Sequence, residues 1–167
     1  ERTMTILPHP HGKLLYVAPL KLYEGDAVEF TPVPDEGYAL KSIVWYTTDP
    51  ANATDITAAK KFTMPDADVT VAAEFALLCN VTFDMQGHGT KVQGYTGVVA
   101  GSLIDAPTSP AASGYVFGGW YATSSCTGSP YDFTADVTSN TTLYAKWVAV
   151  TIPVYKVTLN NQSSSTA

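Results

Sequence analysis

Short runs in which apolar and polar residues alternate dominate the chain. They predict strands over Met4–Leu7, Ala27–Val33, Ile43–Tyr46, Val69–Phe75, Val81–Asp84, Val116–Tyr121 and Thr142–Trp147. Most are rich in Val, Thr, Phe, Tyr and Trp and are bounded by Gly, Pro, Asp or Asn, the residues that end strands in turns. No stretch keeps the periodicity of a long amphipathic helix. Ala51–Lys61 is predicted to hold a turn or two with Asn52 or Asp55 as its cap, and Pro107–Ser113 no more than one turn.

The pattern occurs twice. Gly12, Gly25 and Gly37-Tyr38 match Gly89, Gly101 and Gly114-Tyr115, with Gly12 to Gly37 and Gly89 to Gly114 equally far apart. Trp45-Tyr46 matches Trp120-Tyr121. Asp68-Val-Thr-Val-Ala-Ala-Glu-Phe75 matches Asn140-Thr-Thr-Leu-Tyr-Ala-Lys-Trp147 without a gap. The glycines read as turn positions that want a positive φ. The tryptophans read as core anchors, and Phe75 and Trp147 as the last plug of each unit. The expected organisation is one unit over 1–76 and a second over 77–149, joined near Ala76-Leu77-Leu78. Residues 150–167 form a linker or the first strand of a truncated third unit, since Tyr155–Asn160 resembles Asn80–Asp84. A C-terminal strand padding the second unit is the alternative.

Composition narrows the function. The chain is 46% apolar and 11% aromatic, which suits a packed fold rather than disorder. Only 14% of residues are charged, the formal net charge is −6, and no basic run exceeds Lys60-Lys61. A phosphate backbone needs a concentrated basic face, so nucleic acid is not an expected partner, nor is an anionic membrane surface. No apolar run approaches the ~18 residues that span a bilayer.

Candidate chemistry is sparse. His9 and His11 alternate as two ligands on one strand face would, but zinc takes three or four protein ligands, and His88 lies in the other half. Exposed turn histidines beside Pro8 and Pro10 are the plainer reading. Asp66 and Asp68 with Asp35-Glu36, or Asp132 with Asp136, offer oxygens for calcium, yet none falls into a known loop. There is no Gly-x-Ser-x-Gly elbow and no phosphate-cradling glycine loop. Gly118-Gly119, inside a strand, marks a bulge or a close backbone approach. No cofactor, no metal site and no catalytic residue are expected.

The second half resembles the Listeria–Bacteroides surface repeat, the B-repeat of internalin-type proteins. The resemblance rests on Val81-Thr-Phe-Asp84, Gly87-His-Gly89, Gly114-Tyr-Val-Phe-Gly-Gly-Trp-Tyr121, Tyr131-Asp-Phe133 and Thr142-Leu-Tyr-Ala-Lys-Trp147. The first half resembles a divergent internalin B-repeat through Glu24-Gly-Asp-Ala-Val28, Pro34-Asp-Glu-Gly-Tyr38, Trp45 and Phe62-Thr-Met-Pro-Asp-Ala-Asp-Val-Thr-Val71. The resemblance implies two tandem β-grasp-like (ubiquitin-like) α+β domains that are mainly β with little helix. It also implies display on a bacterial cell surface and a non-catalytic role.

If the sheet takes the β-grasp order, the end of the Trp120 strand comes near the start of the Val81 strand. Cys79 and Cys126 then form a candidate disulfide; the alternative is two unpaired thiols, one buried and one exposed. Strand alternation turns Tyr46 and Tyr121 outward, with Tyr144 adjacent. Two roles follow. One is a spacer or stalk whose partners are neighbouring repeats of the same chain. The other is an adhesion module that binds a host glycoprotein, mucin or polysaccharide through Tyr46, Tyr121 and Tyr144. A cross-strand aromatic cluster with Lys146 that stiffens the sheet is the bland reading of the same residues.

Overall fold

β-branched and aromatic residues fit a pleated, half-buried surface, and the strands fall where they concentrate. A computed structural model describes residues 1–151 and residue 156. Its strands are β1 (Met4–Ile6), β2 (Gly12–Val17), β3 (Ala27–Pro34), β4 (Tyr38–Tyr46), β5 (Thr54–Asp55), β6 (Lys61–Thr63), β7 (Val69–Asp84), β8 (Tyr95–Val99), β9 (Tyr115–Tyr121) and β10 (Thr141–Ala149). The fold is mainly β. Among the described residues the one helical element is a 3-10 turn, Pro50–Asn52, and its cap is Asp49, whose carboxylate accepts the Ala51 N–H at 2.9 Å. Asp55 instead caps the following turn through the Thr57 N–H at 2.7 Å. The strand expected over Tyr155–Asn160 lies, Lys156 apart, outside the described residues.

β7 organises the molecule. Along its first part β1 pairs with it in parallel and β4 antiparallel. Along its last part β8 pairs antiparallel and β10 in parallel, with β9 antiparallel on the far side of β10. A separate sheet, β2-β3-β6, faces the first part. The joint expected at Ala76–Leu78 therefore falls inside one unbroken strand. There the Leu78 N–H donates to Gly37 O and the Ala100 N–H to Leu77 O, both at 2.8 Å. Separate apolar cores form on either side. One holds Val28, Ile43, Met64 and Val71; the other holds Cys79, Val81, Trp120, Val137 and Leu143. Full burial of each such aliphatic side chain contributes about 1.5–3 kcal/mol.

Several bonds recur in both halves. Thr3 N–H donates to Asp68 Oδ1 at 2.8 Å, and Asn80 N–H donates to Asn140 Oδ1 at 2.8 Å. Each contact lies next to the first rung of a parallel pair, Met4 with Val69 and Val81 with Thr141. Gly25 N–H reaches Met64 O and Gly101 N–H reaches Val137 O, both at 2.9 Å. Gly12 lies under Phe75, where an added Cβ would stand 2.8 Å from the ring. Gly89 lies in the same way under Trp147, at φ +69°, and a Cβ there would also meet Ala111 O at 2.8 Å.

One sequence match shifts. Both halves carry a bulge at the same rung. Between Leu40 and Ile43, the bulged β4 advances one residue more than β7 does between Phe75 and Ala73. Between Phe117 and Trp120, β9 does the same against Trp147 and Ala145. Ile43, not Trp45, is thus the structural equivalent of Trp120. Ile43 is fully buried, as that position requires, whereas Trp45 is half-buried and stacks on Phe62 with centroids 5.1 Å apart.

Candidate functional site

The aromatic positions singled out from the sequence do not form one exposed patch. Tyr121 is only 5% exposed, although its neighbour Trp120 fills the core on the opposite face at 4%. The bulge explains this. Gly118 and Gly119 face the single residue Lys146. The Lys146 stem lies against Gly118, leaving 3.2 Å to where a Cβ would be, and its ammonium reaches 5.0 Å from the Tyr121 ring centroid. Pro130 lies over Gly119, and the Tyr131 N–H is tied to Trp120 O at 2.7 Å. Tyr121, expected outside, is therefore covered from both sides. Its cross-strand partner Tyr144 remains half-exposed. Tyr46 is half-buried on β4 opposite Thr70, with β7 and β10 between it and β9.

The cysteines are both free and both buried, so the expected bridge and the expected exposed thiol are both corrected. Cys79 lies in β7 beside Val98, fully buried in the second core. Cys126 sits under the loop after β9, near Tyr144 O at 3.9 Å, with the Gln86 amide nitrogen 3.0 Å from its sulfur. Tyr144 is level with Asp84, near the other end of this stretch of β7. At about 3.3 Å per residue the step along β7 from Cys79 to Asp84 is roughly 17 Å, too far for a bridge. The end of β9 is level with Asp84 through Tyr144 rather than with Cys79, and the loop after it keeps Cys126 at the level of Tyr144.

The histidines are aromatic packing partners. His11 stacks on Tyr38 at 4.1 Å between centroids, and its counterpart His88 packs on Tyr115 at 4.0 Å. His9 accompanies Phe75 at 5.6 Å. Among the described residues no three His, Cys, Asp or Glu side chains converge on a metal position. The carboxylates are engaged singly. Asp66 pairs with Arg2. Asp132 accepts from the Thr134 hydroxyl and N–H, and those bonds hold its carboxyl below the usual range. Asp68 is lowered chiefly by the Thr3 N–H.

A groove of 760 Å³ runs beside the last part of β7, lined by Asn80, Thr82, Asp84, His88, Lys91 and Tyr95 among others. A smaller cleft of 350 Å³ adjoins Gln86, His88, Cys126 and Trp147. Polar rungs mark the sheet beside the groove, with the Thr82 and Thr142 hydroxyls 3.0 Å apart. Sequence reading passed over the Asp68 and Asn140 contacts. Their signal was present, since both residues open the gap-free match between the last strands.

Residues 3–78 match the model of the divergent InlB B-repeat domain, and residues 80–146 match that of the Listeria-Bacteroides repeat domain. Such repeats are typical of bacterial surface proteins. No curated protein matches the chain. Among the described residues no helix is long and apolar enough to cross a membrane.

Proposed function

The chain joins a divergent InlB B-repeat to a Listeria-Bacteroides repeat, and we propose that it is a non-catalytic spacer of a bacterial secreted or cell-surface protein, holding other domains away from the wall or membrane. Each unit, 1–76 and 77–149, is read as a β-grasp-like domain. The parallel pairing of first and last strands, β1 with β7 and β7 with β10, supports that reading. The observation that carries the spacer role is the unbroken β7. A flexible tether would join the units by an irregular, polar segment; here a hydrogen-bonded strand with Leu77 and Leu78 at its middle does so. The test is small-angle scattering of the chain together with a glycan array and a pull-down from host glycoproteins. A rigid elongated particle that captures nothing is expected. A flexible pair of lobes would sink the spacer.

A second reading, adhesion to a glycan, is favoured by one local arrangement. The half-exposed Tyr144 ring stands beside Asp84 and the Thr82–Thr142 hydroxyl pair. An aromatic face next to several hydroxyl and carboxylate groups suits a sugar. Saturable binding lost in Tyr144→Ala would establish this reading over the first.

A further inference from the structure

Strand direction says how this protein meets a pull on its two ends. A force on Glu1 draws β1 toward its own N-terminus, while the opposing force leaves the first half along β7 toward Asp84. The two strands are parallel, with Met4–Ile6 on Val69–Val71. The pull therefore slides one along the other and loads every rung at once. The rungs extend beyond the paired residues: Thr3 N–H to Asp68 Oδ1 at 2.8 Å, Val69 N–H to Thr3 O at 3.0 Å and Leu7 N–H to Val71 O at 2.9 Å.

The same geometry follows in the second half. Force enters along β7 and leaves along β10, which is again parallel, with Val81–Asp84 on Thr141–Tyr144. Asn80 N–H to Asn140 Oδ1 at 2.8 Å and the Thr82–Thr142 hydroxyl contact at 3.0 Å add rungs there. Bonds in a parallel ladder are evenly spaced and slanted, so none is loaded long before the others. β7 belongs to both ladders, so no slack segment lies between them.

We infer that the two parallel ladders are tensile clamps in series, and that β7 carries tension directly from one to the other. The inference rests on the spacer reading for its biological use, but not for its mechanics. Rupture under force is set by the unfolding barrier rather than by equilibrium stability, so the direction of loading, not the strength of the core, distinguishes clamp from ordinary domain. The antiparallel pair β9–β10 supplies the contrast within the same molecule. At its Tyr115–Ala149 end, a pull on both residues opens one rung after another.

Single-molecule force spectroscopy on the whole chain tests this, with handles first at the two termini and then at Tyr115 and Ala149, at one loading rate. Pulling from the termini is expected to need a severalfold higher force and to give two unfolding steps. Asn140→Ala is expected to lower one of those two forces and leave the Tyr115–Ala149 force unchanged, while Asn140→Asp, which restores an acceptor, keeps the wild-type value. Equal forces in the two arrangements would overturn the clamp, as would an Asn140→Ala effect equal in both. Glycan capture or a flexible scattering profile would count against the spacer and leave the ratio of forces as it is.

Discussion

Gly89 shows how much a single position can constrain. Its φ of +69° is unfavourable for a side chain, and a Cβ would meet Ala111 O at 2.8 Å and the Trp147 ring at 3.2 Å. Gly89→Ala is therefore expected to cost about 1–3 kcal/mol through backbone strain alone, read as a lower urea midpoint for the second half. Gly12 faces Phe75 from an ordinary φ, so only the aromatic ring has to give. The thiols give a second expectation at this scale. Cys79 is fully buried and Cys126 7% exposed. Both should resist a thiol reagent in the native protein and both should titrate after unfolding without reductant. No titratable thiol in the unfolded, unreduced chain would mean a bridge. The glycines were legible because their spacing repeats. The burial of Cys126 was not, because it depends on a loop that folds back under Gln86.

At the scale of elements, the first and last strands of each half are equivalent, yet one closing contact titrates and the other does not. Asp68 is held below the ordinary carboxylate range chiefly by the Thr3 N–H, whereas its counterpart Asn140 is an amide. A lowered native pKa means that the contribution is present above the unfolded value and is lost as pH falls through the native value. The β1–β7 ladder should thus weaken in acid, and the β7–β10 ladder should not lose its Asn140 contact. Amide exchange at Thr3 and Asn80, compared at pH ~6 and pH ~3 after correction for intrinsic rates, checks this. Protection at Thr3 should fall more, and Asp68→Asn should remove the difference. Strands rich in Val, Thr and aromatics were readable from alternation. β2 and β8 were not: Leu14-Leu15-Tyr16-Val17 does not alternate cleanly in polarity, and Thr96-Gly97 bulges against β7. Trp45 is not the counterpart of Trp120 because a bulge shared by both halves, not the Trp-Tyr pair, sets the register.

For the whole molecule, the repeat and the mainly β fold could be read in advance; the manner of joining could not. Ala76-Leu77-Leu78 looks like a hinge or a seam in a linear sequence, and nothing in it announces hydrogen bonds to Gly37 on one side and Ala100 on the other. If the joint is as stiff as these bonds require, the amides of Leu78 and Ala100 should exchange as slowly as those of the core strands. Fast exchange at both would mean that the strand frays at its middle. A protease seeking the point where one unit ends finds pleated backbone instead of a loop, so limited digestion should spare the joint and nick elsewhere first. Anyone dissecting the protein meets the same difficulty. The strand that finishes one unit begins the next, and even a cut between Leu77 and Leu78 parts each half from a bond it makes across the seam, Leu78 N–H to Gly37 O and Ala100 N–H to Leu77 O.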